Sequence, residues 1–281
     1  MGLFPLTPDA RRYFRDAAVA AARALELRRE EPLDAAARRL GLVRTHRLRA
    51  LHDVLALDNC WDAPEADAPS PAPQGGWAAL ADVIRSDRPL SADDMLARFH
   101  AHLAAAGHDD ARALAATLAA FPEAARGLVD LGGGAGHYAA AFLDAAPAAH
   151  ATVVDRAAVV ALVPARDRLA CVAGDLFDVH VPRHGLALLA NVAHLYDAAD
   201  GARLVARAAA LADAVVVKDL WIEPDRSGPP GALYFALNMA LFTDGGDVHP
   251  PARIAGWLRA AGLSEPTVER LGDDAVVWAR R

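Results

Sequence analysis

The chain has 281 residues, 29 basic and 36 acidic, for a formal charge of −7. With 54% hydrophobic and 23% charged residues, it has the composition of a folded globular protein, which excludes disorder as the dominant state. The acidic balance argues against a nucleic-acid partner, and no apolar run long enough to span a membrane is free of charge and proline. Two widely separated cysteines, Cys60 and Cys171, exclude a disulfide framework and fit a reduced cytoplasm. The opening residues, MGLFPLTPDARRYFRD, do not read as a secretory leader.

Residues 1–57 carry eleven arginines against seven acids. Within them Tyr13, Ala17, Ala20, Ala24 and Leu27 recur at helical spacing. Asp34 to Leu40, then Gly41, then Thr45 to Leu57 reads helix, turn, helix, with Gly41 closing the first and Thr45 capping the second. Arg44, Arg47 and Arg49 on that second helix would suit a DNA-binding regulator, but exposed arginines are expected in a chain with 28 of them and a single lysine, Lys218. Residues 62–76, with four prolines and no basic residue, read as an irregular connection. A helical stretch is predicted from Trp77 to about Ala120, closed by Phe121-Pro122. It contains His100, His102 and His108. On a helix His100 and His102 point about 200° apart, so no metal site is expected there.

From Gly127 onward, short apolar runs alternate with alanine-rich helical segments. The strand candidates are 127–131, 151–155, 169–173, 186–191 and 214–219, followed by helices near 231–242 and 251–261. Two last runs, near 266–270 and 274–279, could form a terminal hairpin. Such alternation implies a mostly parallel sheet covered on both faces. The turn after the first strand reads Asp130-Leu-Gly132-Gly-Gly134-Ala-Gly136. Glycines let the backbone leave the strand sharply and approach a ligand, and the next helix offers free N–H groups to an electronegative ligand group. Asp155, at the end of the second strand, could accept both hydroxyls of a ribose. A dinucleotide and S-adenosylmethionine both suit these features. Gly132, Gly134 and Gly136 are spaced two apart, which departs from the dinucleotide G-x-G-x-x-G spacing.

The run VDLGGGAGHYAAAFLDAAP resembles the first motif of class I S-adenosylmethionine-dependent methyltransferases, and more narrowly the small-molecule O-methyltransferases of plants and bacteria. The likeness continues through VVD (153–155), AGDLFDVHVP (173–182), LLANVAHLYDAADGARLV (188–205), VVVKDLWIEP (215–224) and the segment 237–263, and so covers 127–281. It implies a Rossmann-like methyltransferase domain over 127–281, with a mostly parallel sheet and a terminal hairpin. An all-α, winged-helix-like dimerisation domain over 1–126 would precede it, the would-be wing replaced by the proline-rich 62–76. S-Adenosyl-L-methionine is the implied cofactor. Gly132, Gly134 and Gly136 would face its methionine part and Asp130 its ammonium. Asp155 would hold the ribose and Asp175 the adenine amino group, with Phe177 packing near the ring and Asn191 counted among the cofactor residues. Asp175 also reads simply as a turn acid before Phe177.

By the same resemblance His194 is the base that removes the acceptor hydroxyl's proton, and Asp219 a carboxylate that orients it. A phenol, with pKa near 10, needs such help at neutral pH, and a free imidazole, near 6.5, can give it. The family's motif there, His-Asp-Trp, reads His-Leu-Tyr here, and a second orienting acid is replaced by Val248. Lys218 beside Asp219 reads as a solvated charge in preference to an acceptor contact. By position Met239, Thr243 and His100 are expected to line the acceptor pocket, Met239 reading equally well as core, and Trp221, Tyr234 and Phe235 could add aromatic walls.

The expected function is therefore transfer of a methyl group from S-adenosylmethionine to a hydroxyl of a small molecule in specialised metabolism. The alternatives are S- or N-methylation, or a non-methylating reaction on the same fold. The resemblance implies a homodimer built on the N-terminal helices, with the stripe from Tyr13 to Leu27 in its interface, and neither a nucleic acid nor a membrane as partner.

Overall fold

The computed structural model describes residues 7–57, 59–62, 76–91 and 109–281. Four helices come first: α1 (Pro8–Ala24), α2 (Leu33–Arg39), α3 (His46–Leu57) and α4 (Leu80–Ser86). Thr7 caps α1 through its hydroxyl, and Pro8 sits in the first turn, where no N–H is needed. Gly41, at φ +67°, lies just past α2, where a left-handed residue ends a helix. Among the described residues no strand precedes β1, so the winged-helix expectation gains no wing there.

The helix predicted from Trp77 to Ala120 is interrupted. Trp77–Ala79 is a single 3-10 turn, α4 follows, and Asp87 stops it at φ +52°. Two causes act together: Arg88 precedes Pro89, which disfavours helix, and the Asp87 carboxylate is drawn to Arg44 and Arg47. Chain order resumes with α5 (Asp109–Ala119) and a 3-10 turn at Pro122–Arg126.

The rest alternates as expected: β1 (Leu128–Leu131), α6 (His137–Ala145), β2 (Ala151–Asp155), α7 (Ala157–Val160), β3 (Leu169–Ala173), β4 (His184–Ala190), α8 (Ala198–Leu211), β5 (Ala212–Leu220), α9 (Pro230–Phe242), α10 (Pro251–Ala260), β6 (Thr267–Leu271) and β7 (Asp274–Arg280). The seven-stranded sheet runs β3-β2-β1-β4-β5-β7-β6. Strands β1 to β5 are parallel, and the hairpin β6–β7 joins antiparallel along β5. Strand order reverses between β1 and β4, which opens a crevice at their carboxyl ends. β1 and β4 are buried throughout, whereas the edge strands β3 and β6 are largely exposed.

Three buried clusters hold the chain together. One packs α8 and α10 on one sheet face, and another packs α5, α6 and Phe121 on the other. The third joins α1, α3 and α4 to α9, which is buried on almost every side. Helix α9 thus ties the N-terminal helices to the sheet. The stripe expected at a dimer interface is divided: Ala17 is buried within the chain, while Ala20 and Ala24 are exposed. Phe14 stacks on Trp77 at 4.3 Å.

Candidate functional site

The glycine turn leaves β1 at the switch point. Gly132, Gly134 and Gly136 all have positive φ, +74°, +57° and +80°. A Cβ on Gly132 would come within 2.7 Å of the Val192 side chain, so the turn packs directly under the loop that follows β4. Beneath the turn lies Asp130, fully buried between β2 and β4. Among the described residues neither of its carboxylate oxygens makes a hydrogen bond of good geometry, and the Ala139 amide is a weak donor to it. Burial, and then the charge of Asp155, push its pKa up to about 7, with the Ala139 amide opposing. A carboxylate so placed is poised to receive a cationic partner.

Asp155 ends β2 and faces the same turn: one oxygen accepts the Gly134 N–H at 3.0 Å and the other the Arg156 N–H at 2.7 Å. A carboxylate has about four lone-pair directions, so it retains capacity for further donors. Asp175 follows β3, is exposed, and accepts the Phe177 N–H at 2.9 Å, so its turn-acid role is present. Phe177 meets Tyr196 edge to face at 5.3 Å, with the Arg203 guanidinium 4.9 Å from its ring centre.

Beyond β4, Asn191 turns the chain at φ +59°, and a 3-10 turn, Ala193–Leu195, delivers His194. Its imidazole Nδ1 lies 2.7 Å from one oxygen of Asp219, and its backbone N–H donates to the other at 3.0 Å. Burial alone would raise the pKa of Asp219, but the His194 imidazole and the His194 and Leu220 amides hold it below the usual carboxylate value. With Nδ1–H donating to the carboxylate, Nε2 is left as the acceptor. Phe235 on α9 meets the ring edge to face at 4.8 Å.

Val248, at the position of the missing second acid, is fully buried. The neighbouring His249 contacts the Tyr196 carbonyl at 3.0 Å and Trp257 edge to face, which makes it a brace for the loop after α9. Met239 is core, packed with the N-terminal helices. Thr243 closes α9, its hydroxyl donating to the Met239 carbonyl and accepting from the Gly246 N–H. Tyr234 is core, and Trp221 is held by Glu223 and Arg270. His100, His102 and His108, and most of the 62–76 connection, lie outside the described residues. Among the described residues no group of three or more His, Cys, Asp or Glu side chains is placed to hold a metal, and no helix is long and apolar enough to cross a membrane.

Two sequence readings change. Lys218 is not solvated: it is 2% exposed, paired with Asp274 at 2.5 Å and donating to Asn191 at 3.1 Å. Sequence distance concealed this, because β7 brings Asp274 beside β5 from far along the chain. Nor do the arginines of α3 and of the turn before it form a free basic face. Arg47 is buried, Arg44 and Arg47 share Asp87, and Arg49 pairs with Asp247. Tyr138, near Asn191 at 3.4 Å, was not anticipated at all.

A family model described as an O-methyltransferase domain matches residues 101–264, more than half of the chain. A tetracenomycin polyketide synthesis 8-O-methyl transferase from Streptomyces glaucescens is 29% identical over 54% of this chain and 48% of its own length. The chain spans about half the length of the curated relatives it matches. In fold it resembles an O-methyltransferase family 2 protein from Planctomyces limnophilus, solved with apigenin, at a TM-score of 0.75 and 22% identity, over 100% of this chain and 98% of that one. Human N-acetylserotonin methyltransferase, solved with SAM, superposes with a TM-score of 0.58 at 20% identity, over 95% and 93% of the two chains.

Proposed function

Because the chain belongs to the O-methyltransferase domain family, we propose that it methylates a hydroxyl of a small molecule, using S-adenosylmethionine, with His194 as proton acceptor. The observation that carries this reading is the buried His194–Asp219 pair, set at the carboxyl ends of β4 and β5 next to the glycine turn. The residues fit the cofactor. The buried Asp130 carboxylate suits an ammonium, the positive-φ glycines carry the chain sharply out of β1 at the switch point, and Asp155 can accept from a ribose. Asp175, Phe177 and Asn191 would border the adenine end and the base loop. When bound, S-adenosylmethionine supplies a methyl group on a sulfonium, an electrophile that needs no metal.

The chain's own part is to bind, orient and take a proton. Asp219 fixes the imidazole so that Nε2 faces the acceptor, and His194 removes the hydroxyl proton as its oxygen attacks. Such help is worth about 10²–10⁴-fold, and alignment of the reacting atoms supplies much of the remainder. Thr243, Phe235 and His100 are proposed around the acceptor. The name of the tetracenomycin relative places it in polyketide synthesis, and by that likeness specialised metabolism is the proposed setting. We extend the proposal to a pair of identical chains joined through residues 1–126, with 127–281 as the cofactor-binding part.

Calorimetric titration with S-adenosylmethionine tests the core of this reading. Micromolar binding, abolished in Asp155→Ala, is expected; absence of binding to the folded wild type would sink it. One observation favours a second acceptor class: Val248 leaves Asp219 as the acid on His194, and sulfur or nitrogen acceptors need less base help. Mass analysis of methylated products from phenol, thiol and amine panels separates the two.

A further inference from the structure

Strand β5 ends in two buried charged residues that point to opposite faces, as adjacent strand residues must. Asp219 grips His194 on one face. On the other, Lys218 sits among Asp274, Asn191 and Tyr138: its ammonium is 2.5 Å from Asp274, 3.1 Å from the Asn191 amide oxygen and 5.9 Å from the Tyr138 ring centre. The Asn191 amide nitrogen reaches back to the Tyr138 hydroxyl at 3.4 Å, and the Asn191 backbone N–H donates to the Lys218 carbonyl at 2.8 Å. The loop 191–194 is therefore pinned at its first residue by Lys218 and at its last by Asp219. Its first residue holds a left-handed backbone, φ +59°, which an asparagine adopts only at some cost and keeps when its surroundings fix it. Between the pins, Val192 presses on Gly132 of the glycine turn.

We propose that Lys218, through Asn191, is a positioning residue for His194: a buried cation on the far face of the sheet fixes where the base stands. This rests on the reading of His194 as proton acceptor. Burying an ammonium and a carboxylate is costly in itself, and an apolar pair would fill the same space. The pair instead supplies a directional anchor for one side-chain amide.

The test compares two buried imidazole protons in histidine-¹⁵N-labelled protein. One is the Nδ1–H of His194, assigned by its loss in His194→Gln. The other is the Nδ1–H of His184, which faces the Pro182 carbonyl at 2.8 Å at the opposite end of the sheet. The variant is Lys218→Met with Asp274→Asn, which removes both charges and strands neither. We expect exchange of the His194 proton with solvent to accelerate about tenfold or more while that of His184 holds. Equal acceleration of both would reduce Lys218 to a general stabiliser, and no change in either would equally overturn the proposal. If the double variant does not fold, Asn191→Gly keeps the left-handed backbone and the ion pair but deletes the linking amide. The same difference between the two protons is then expected, and its absence has the same force. Titration of the wild type with S-adenosylmethionine runs alongside: failure to bind would remove the methyl-transfer reading while leaving the proton comparison intact.

Discussion

At His194 a single carboxylate holds both the ring and the backbone, so the imidazole cannot turn without breaking its bond to an Asp219 that the His194 backbone N–H also holds in place. His194→Gln should therefore lower kcat by about 10²–10⁴-fold while the affinity for S-adenosylmethionine stays close to wild type, as steady-state assay and calorimetry would show. Asp130 gives a second handle. Its native pKa, about 7, lies well above the ordinary 3.8, so between those values the folded chain binds the proton more tightly than the unfolded one. Stability attributable to this group is thus present at low pH and lost as pH rises toward 7, at up to about 1.4 kcal/mol per pH unit. Asp130→Asn does not titrate. Its stability relative to wild type should climb from about pH 4 to pH 7 and then level off, as urea denaturation across pH would reveal. A constant difference would mean that Asp130 is already ionised. Cofactor binding should show the converse: an ammonium beside Asp130 favours the carboxylate, so near pH 6 calorimetry in buffers of different ionisation enthalpy should register proton release.

Among the elements, α9 has the most demanding task. It is apolar on nearly all sides, and the carbonyls at its end are met from α3 and the turn before it: Arg47 donates to the carbonyls of Ala240 and Asp244, and Arg44 to that of Asp244. Cations there also suit the negative end of the helix dipole. Removing the buried Arg47 leaves Asp87 and these carbonyls short of a partner. Arg47→Met should cost about 1–3 kcal/mol, measurable as a lowered urea midpoint, and Arg47→Lys should recover little because a single ammonium cannot span three acceptors. The sequence could not show this. Its pattern marked the helix containing Arg47, but an arginine on an amphipathic helix looks the same whether it faces water or a distant helix end. Local pattern did suffice for β2 and β3, whose bounds coincide with the apolar runs 151–155 and 169–173. It failed for the stretch from Trp77 onward, where the break at Asp87 depends partly on arginines some forty residues away. The site divides along the same line. Asp130, the glycines and Asp155 were legible because they lie in or beside one strand-turn-helix unit. Lys218, Asn191, Tyr138 and Asp274 come together only through the sheet's strand order.

For the molecule as a whole, the N-terminal helices are bound into the rest by α9 and by charge. Arg226, in the loop after β5, pairs with Asp53 of α3 and with Asp247. Of the α1 stripe expected at an interface, this anchorage leaves Ala20 and Ala24 exposed among the described residues. If the proposed pairing uses that face, Ala20→Arg with Ala24→Arg should convert a dimer to a monomer in light scattering without lowering the thermal midpoint of the monomer. A wild-type monomer would refute the pairing outright.

The burial of Lys218 also changes how the chain meets reagents. As the one lysine of this sequence, and 2% exposed, it is shielded from acylating esters and reductive methylation in the native state. A mild amine reagent would then leave position 218 unmodified until the seam between β5 and β7 parts. The rate at which this residue takes up label becomes a clock for that opening, read at a single position by peptide mass and without any engineered probe.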